Sequence, residues 1–257
     1  MNRFEGKVAI ITGASTGLGP VMARMMAAEG AKVVLAARKG HLCEEVAHEI
    51  GEQAIGMKAD VTNEADVARM VGAAIDKWGQ VDVMMSNAAQ PGQDKWIWEQ
   101  TVDNFIDTYK VDCMAAMLCS REVLNRSMLE RKKGAIVTFS SGACWGGMER
   151  KSHYSAAKAA LVVLTKTIAK EVGPHGIRAN CLVPGSIATE LLENYYKRVA
   201  AERGVDEQVL WQESADRVAL RTISTPEDIA HMALFLASDQ ARTVTGQAIN
   251  VDAGLTI

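Results

Sequence analysis

Apolar residues fall in short unbroken runs separated by longer stretches of mixed character. Val8-Ala9-Ile10-Ile11 and Val33-Val34-Leu35-Ala36-Ala37 have no polar interruption. Runs of this length read as strands buried on both faces, where alternation with polar residues is not needed. The pattern predicts strands at 7–12, 31–37, 54–59, 81–86, 134–140, 177–183 and 247–251. Between them the apolar positions take the three- and four-residue steps of amphipathic helices. Those helices are expected near 18–29, 41–50, 64–78, 102–130, 153–172 and 226–237. Regular strand–helix alternation predicts an α/β fold, a doubly wound parallel sheet of about seven strands with helices on both faces. Ligands of such sheets sit beyond the carboxyl ends of the strands. Gly13, Asn87, Ser141 and Pro184 each follow a predicted strand, so they converge on one edge of the sheet.

Residues 186–225 break the rhythm. They carry Tyr195, Tyr196, Trp211 and many charges. Two readings stand: a helical lid that excludes water and shapes substrate choice, or a pair of solvated surface helices.

Composition narrows the class. A chain of 257 residues, 48% apolar, fits one large α/β domain spanning 1–257. The net charge is −3 and no basic run occurs, which gives no electrostatic footprint for nucleic acid or an anionic membrane. No apolar stretch approaches the roughly 20 residues needed to span a bilayer. The first residues lack the apolar core of a secretory signal. Cys43, Cys113, Cys119, Cys144 and Cys181 are scattered, without metal-ligand spacing. They read as reduced thiols of a cytoplasmic protein, and nothing in the sequence calls for a metal.

Two motifs carry chemistry. Thr12-Gly13-Ala14-Ser15-Thr16-Gly17-Leu18-Gly19 joins the first strand to a helix with Pro20 in its first turn. Glycines there let the chain turn sharply and let a pyrophosphate approach the backbone, facing a helix N-terminus. The spacing is G-x3-G-x-G rather than the commoner G-x-G-x-x-G. Farther along, Tyr154 and Lys158 stand four apart on a predicted helix, so they share one face. A neighbouring ammonium favours the phenolate, and a phenol so tuned can exchange a proton with an alcohol oxygen. Ser141 can bond the same oxygen. Ser140 is adjacent, but successive strand side chains face opposite ways, so the two do not serve equally.

With these motifs the chain resembles the short-chain dehydrogenase/reductase family over essentially its whole length. The motifs occur in family order: Thr12 to Gly19, Asp60-Val61, Ser86-Asn87-Ala88-Ala89, Ser141, Tyr154 with Lys158, Asn180 to Thr189, and Thr245-Gly246-Gln247 to Gly254. The resemblance implies a Rossmann-like sheet and a nicotinamide cofactor. It implies that Tyr154 is the general acid in reduction and the base in oxidation. Lys158 would tune the tyrosine and hold the nicotinamide ribose, and Ser141 would orient the carbonyl. Gly13, Ser15, Thr16, Gly17, Leu18 and Gly19 would cradle the pyrophosphate. Asp60 and Val61 would meet the adenine, although Asp60 also reads as a helix cap. Asn87 and Ala88 would lie beside the cofactor. Pro184, Gly185, Ile187 and Thr189 would close around its nicotinamide end.

Cofactor choice turns on the end of the second strand. NAD sites place an acid there, and this chain has Ala37. Arg38 follows and can pair with a 2′-phosphate, with Lys39 adding charge, so NADP(H) is favoured over NAD(H). Thr16 stands where NADP-preferring members often carry a second basic residue. A further departure is Lys110-Val111-Asp112-Cys113, where the family has Val-Asn. That asparagine anchors a water relaying protons to the lysine. Asp112 can accept from water but brings charge and loses the amide donor, so retained activity with a shifted pH profile is expected.

Trp145, Met148, Trp96 and Trp211 are candidates for a pocket that takes an apolar or ring-bearing ketone. Each reads equally as packing. The leading activity is ketone–alcohol interconversion on a small molecule. The alternatives are a sugar or polyol dehydrogenase with the same residues, or a cofactor-binding protein without turnover. An enoyl reductase of this family spaces its tyrosine and lysine more widely. The resemblance also implies a homotetramer or homodimer joined through the helices near 102–130 and 153–172. The run Ala159 to Leu164 fits that interface and fits core packing equally.

Overall fold

Seven strands are present among the described residues: β1 (Val8–Thr12), β2 (Lys32–Ala37), β3 (Ala54–Lys58), β4 (Val83–Ser86), β5 (Gly134–Phe139), β6 (Ile177–Pro184) and β7 (Ala248–Val251). In the computed structural model, which describes residues 2–257, they form one sheet ordered β3-β2-β1-β4-β5-β6-β7. Every pairing is parallel. The order reverses between β1 and β4, which opens a crevice at their carboxyl ends.

Helices α1 (Leu18–Ala28), α2 (Gly40–Ile50) and α11 (Pro226–Ala237) cover one face. Helices α3 (Glu64–Trp78), α5 (Ala115–Val123) and α8 (Ser152–Val172) cover the other. The strands explain the two layers. In β1, Ile11 packs toward α1 and α11 while Ile10 packs toward α3 and α5. A strand sandwiched in this way needs apolar residues at every position. The remaining helices are α4 (Val102–Tyr109), α6 (Leu129–Arg131), α7 (Ala143–Gly146), α9 (Glu190–Arg203) and α10 (Glu207–Asp216).

Local chemistry sets the ends. The Asn63 side chain accepts from the Ala65 and Asp66 N–H groups and starts α3, and Gly79 ends it at φ 80°. Asp60 is therefore not the cap of that helix. Its carboxylate accepts from the N–H and hydroxyl of Thr62, at 2.9 and 2.7 Å. Thr225 and Asp228 form a reciprocal capping box at the start of α11.

The sequence predicts one unbroken helix over 102–130. The structure instead has α4, α5 and α6 joined by π turns at Lys110–Met114 and Leu124–Met128. Each turn slips the helix register by inserting a wider ring of backbone. The first of them carries Asp112. In α8, Leu161 and Val162 are buried and Leu164 packs on the core. Val163 alone of that apolar run is well exposed, at 63%.

The amino ends of the strands are held by Asp82, which is 4% exposed. Its carboxylate accepts from the Val8 N–H at 2.8 Å, Arg131 at 2.6 Å and Gln80 at 2.7 Å. Removing it strands a backbone donor and a cation together. Asp82→Ala should lower stability by about 3 kcal/mol in urea denaturation, and Asp82→Asn by less, because the amide oxygen still accepts.

Candidate active site

The crevice between β1 and β4 is built from backbone. Gly13 sits at φ 64°, and a Cβ there would lie 2.8 Å from Ala88 Cα. At Gly19 a Cβ would lie 2.5 Å from the Gly13 carbonyl oxygen. No side chain fits at either position. Gly17 caps α1 at φ 65°, and among the described residues no side chain bonds the first-turn N–H groups of that helix. The turn thus offers free donors and the positive end of a helix to an anion. These features fit the pyrophosphate of a dinucleotide.

Thr12 and Asn87 stitch the crevice shut beneath. The Asn87 amide donates to the carbonyls of Thr12 and Gly13, at 3.0 and 3.2 Å. Thr12 Oγ1 accepts from the N–H groups of Asn87 and Ala88, at 3.1 and 3.2 Å. Sequence reasoning singled out Asn87 and gave Thr12 no role. Ala89, at the end of that segment, is exposed.

The other nucleotide candidates lie around the same edge. Ser15 is half-buried, Thr16 is exposed and Leu18 is buried. Arg38 and Lys39 are exposed just after β2, and neither makes an ion pair among the described residues. Asp60 is half-buried and Val61 buried beyond β3. Pro184 ends β6, and a Cβ on Gly185 would meet Asp252 at 2.9 Å. Ile187 bridges to Ser224. Thr189 reaches the glycine turn, with its methyl 3.7 Å from where a Gly17 Cβ would be.

The reactive side chains come from β5 and α8. Ser140 faces inward and donates to the Lys158 carbonyl at 2.8 Å. Ser141 is half-buried on the other side, and its Oγ accepts from the Ala143 N–H at 3.3 Å. Lys158 is 2% exposed, and its ammonium donates to the Phe139 carbonyl at 3.0 Å. That ammonium lies 5.5 Å from the centre of the Tyr154 ring. Strand end and helix are therefore locked to each other through one residue.

Asp112 closes the set from the π turn. It is 2% exposed, with Oδ1 accepting from the Gln90 N–H at 2.7 Å. Oδ2 stands 3.9 Å from the Lys158 ammonium and has no hydrogen-bond partner among the described residues. Burial pushes its pKa up, and the opposing pull of Lys158, the Gln90 N–H and His153 does not overcome it. The charge expected from the sequence is thus disfavoured by its surroundings.

A wall at residues 90–100 is anchored to this core. His153, fully buried beside Tyr154, bonds the Pro91 carbonyl at 3.0 Å and the Gln100 side chain at 2.8 Å. Sequence reasoning missed it; its position next to Tyr154 was the available signal. Asp94 pairs with Lys151 at 2.7 Å and with Arg198 of α9 at 3.5 Å. The four pocket candidates occupy separate places. Trp96 is stacked on Trp98 with centroids 5.3 Å apart, and Arg150 lies over its ring. Trp145 donates to the Asn250 side chain at 2.8 Å, and Met148 is exposed. Trp211 packs edge-on against Tyr196 at 4.9 Å and holds α9 to α10.

Residues 13–256 match a family model described as enoyl-(acyl carrier protein) reductase. The chain belongs to the short-chain dehydrogenase/reductase family. It is 35% identical over 259 residues to momilactone A synthase of Oryza sativa subsp. japonica, covering 99% of this chain and 92% of that one. It is 32% identical to 3-oxoacyl-[acyl-carrier-protein] reductase of Synechocystis sp., over 100% of both chains. A crystal structure of a variant actinorhodin polyketide ketoreductase with NADPH superimposes with a TM-score of 0.91, at 28% identity over 99% of this chain and 98% of that one. The protein is an oxidoreductase of a family that binds NAD or NADP. Among the described residues, no helix is long and apolar enough to cross a membrane.

The raised pKa of Asp112 has a sign that can be checked. A carboxyl whose folded pKa lies above its unfolded one favours folding below the unfolded value, and that benefit is lost as pH rises through the folded value. Asp112→Asn should therefore unfold at higher urea than the wild type at pH 8, and the gap should narrow steadily toward pH 4.

Proposed function

We propose that the protein is an NADP(H)-dependent oxidoreductase that interconverts a ketone and a secondary alcohol, with Tyr154 as proton donor and acceptor. The observation that carries this reading is the lock between β5 and α8 through Lys158. It brings Ser141 and Tyr154 to the same sheet edge as the glycine turn.

When bound, the nicotinamide cofactor supplies or accepts the hydride. Its pyrophosphate would be held by Gly13, Ser15, Gly17 and Gly19, and its adenine side by Asp60 and Val61. Arg38 and Lys39, exposed beyond β2 and without an ion pair among the described residues, would meet a 2′-phosphate, which supports NADP(H). Lys158, held by the Phe139 carbonyl, would take the ribose hydroxyls. Ser141 would donate to the carbonyl oxygen and fix its orientation, and Tyr154 would deliver the proton.

The four-residue step from Tyr154 to Lys158 supports carbonyl rather than enoyl reduction. The exposed Trp96, Trp145 and Met148 support an apolar or ring-bearing substrate under a lid formed by α9 and α10. Exposed Val102, Ile106, Tyr109 and Met114 support self-association through the α4 face.

NADPH oxidation should be followed across ketones from small aliphatic to polycyclic. Tyr154→Phe should lower kcat by about 10²–10⁴-fold with NADPH affinity retained. If the wild type binds NADPH tightly and turns over none of these in either direction, the protein is a cofactor-binding protein without turnover. Arg38→Ala should reduce the preference for NADPH over NADH about tenfold or more. An unchanged ratio would remove Arg38 from the cofactor argument.

A further inference from the structure

The amino-terminal edge of the sheet, opposite the crevice, holds a cavity of about 290 Å³. It is formed where β4, β5 and β6 begin and where α11 hands the chain to β7. Its charged lining is Lys7, Lys133, Arg178 and Arg242 against Asp82 and Asp239. Four cations thus face two carboxylates, and both carboxylates are already engaged. Asp82 is taken by Arg131, which lies outside the lining, and by the Val8 N–H. Asp239 pairs with Lys7 at 3.1 Å.

The cations differ in what they have left to give. Arg178 is half-buried and donates to the carbonyls of Leu236 and Ser238, at 2.7 and 2.9 Å, so it is fixed in place. Lys133 and Arg242 are exposed and make no ion pair or side-chain hydrogen bond among the described residues. The field at this spot is positive enough to be felt by its own acid. Burial raises the pKa of Asp239, but Lys7, Lys133 and Arg178 together bring it below the usual carboxylate value.

We propose that this cavity binds a small polyvalent oxyanion, a phosphate-bearing or polycarboxylate metabolite, held by Lys133 and Arg242 with Lys7 and Arg178 behind them. Arginine supplies the planar fork that oxyanions accept, and lysine a mobile point charge. At about 30 Å³ per water, the space equals roughly ten waters, enough for an oxyanion group with a small organic body. It is separated from the crevice by the length of the strands, about 20 Å for six residues, so its ligand does not compete with a dinucleotide.

The test is a thermal-shift and calorimetric titration of the full-length protein with pyrophosphate and with citrate. Sodium chloride at matched ionic strength is the control. The comparison uses K133E/R242E, whose native side chains are exposed and make no hydrogen bond or ion pair among the described residues, and R38E, which alters the nucleotide end. Either anion should stabilise the wild type beyond the salt control. Its binding should weaken about tenfold or more in K133E/R242E and persist in R38E. The anion that binds identifies phosphate or carboxylate as the group read. Equal binding in K133E/R242E, loss in R38E instead, or no effect beyond chloride would overturn the assignment.

Discussion

The site depends on a buried lysine that bonds in two directions. The Lys158 ammonium reaches forward to the Phe139 carbonyl, and its own carbonyl receives the Ser140 hydroxyl. One residue thus joins the end of β5 to the second turn of α8. A cation 2% exposed is costly to desolvate, and a carbonyl, a nearby carboxyl and an aromatic face all lie around it. Tyr154, Ser141 and Asp112 take their positions relative to this one charge. The lysine is therefore a structural clamp before it is a chemical group.

A comparable economy operates at β1 and β4. The chain diverges just beyond their carboxyl ends, and Thr12 and Asn87 tie those ends together beneath the crevice. Asn87 donates to the carbonyls of Thr12 and Gly13, where β1 runs into the glycine turn. The glycines above contribute by absence. Any side chain at Gly13 or Gly19 would meet backbone, so the floor of the crevice is bare main chain.

The strands were legible because a sheet covered on both faces leaves little room for polar residues. Val8 to Ile11 and Val33 to Ala37 therefore announce themselves. The glycine turn and the Tyr154–Lys158 pair were legible because their spacing is local. What escaped the sequence was set at long range. The π turn at Lys110–Met114 leaves no mark in the apolar pattern, yet it determines where Asp112 points. His153 reads as one more polar residue until Pro91 and Gln100, about sixty residues earlier, are seen against it. Trp211 reads in the sequence equally as substrate wall or as packing, and only the fold shows its ring edge-on against Tyr196, between two helices. Asp82 and Arg131 are far apart in sequence and meet only because β4 lies beside β5.

The link through Asp94 has a further consequence. This carboxylate joins the wall at residues 90–100 to Lys151 and to Arg198 on α9, and the Arg198 side chain is half open to solvent. An ion pair so placed contributes at most about 1 kcal/mol, close to thermal energy, and dissolved ions weaken it. The floor of the cleft is secured by buried groups and its rim by contacts of this kind. Stiffness therefore falls from base to mouth, and the rate at which a molecule passes the rim becomes a property of the surrounding electrolyte as well as of the protein.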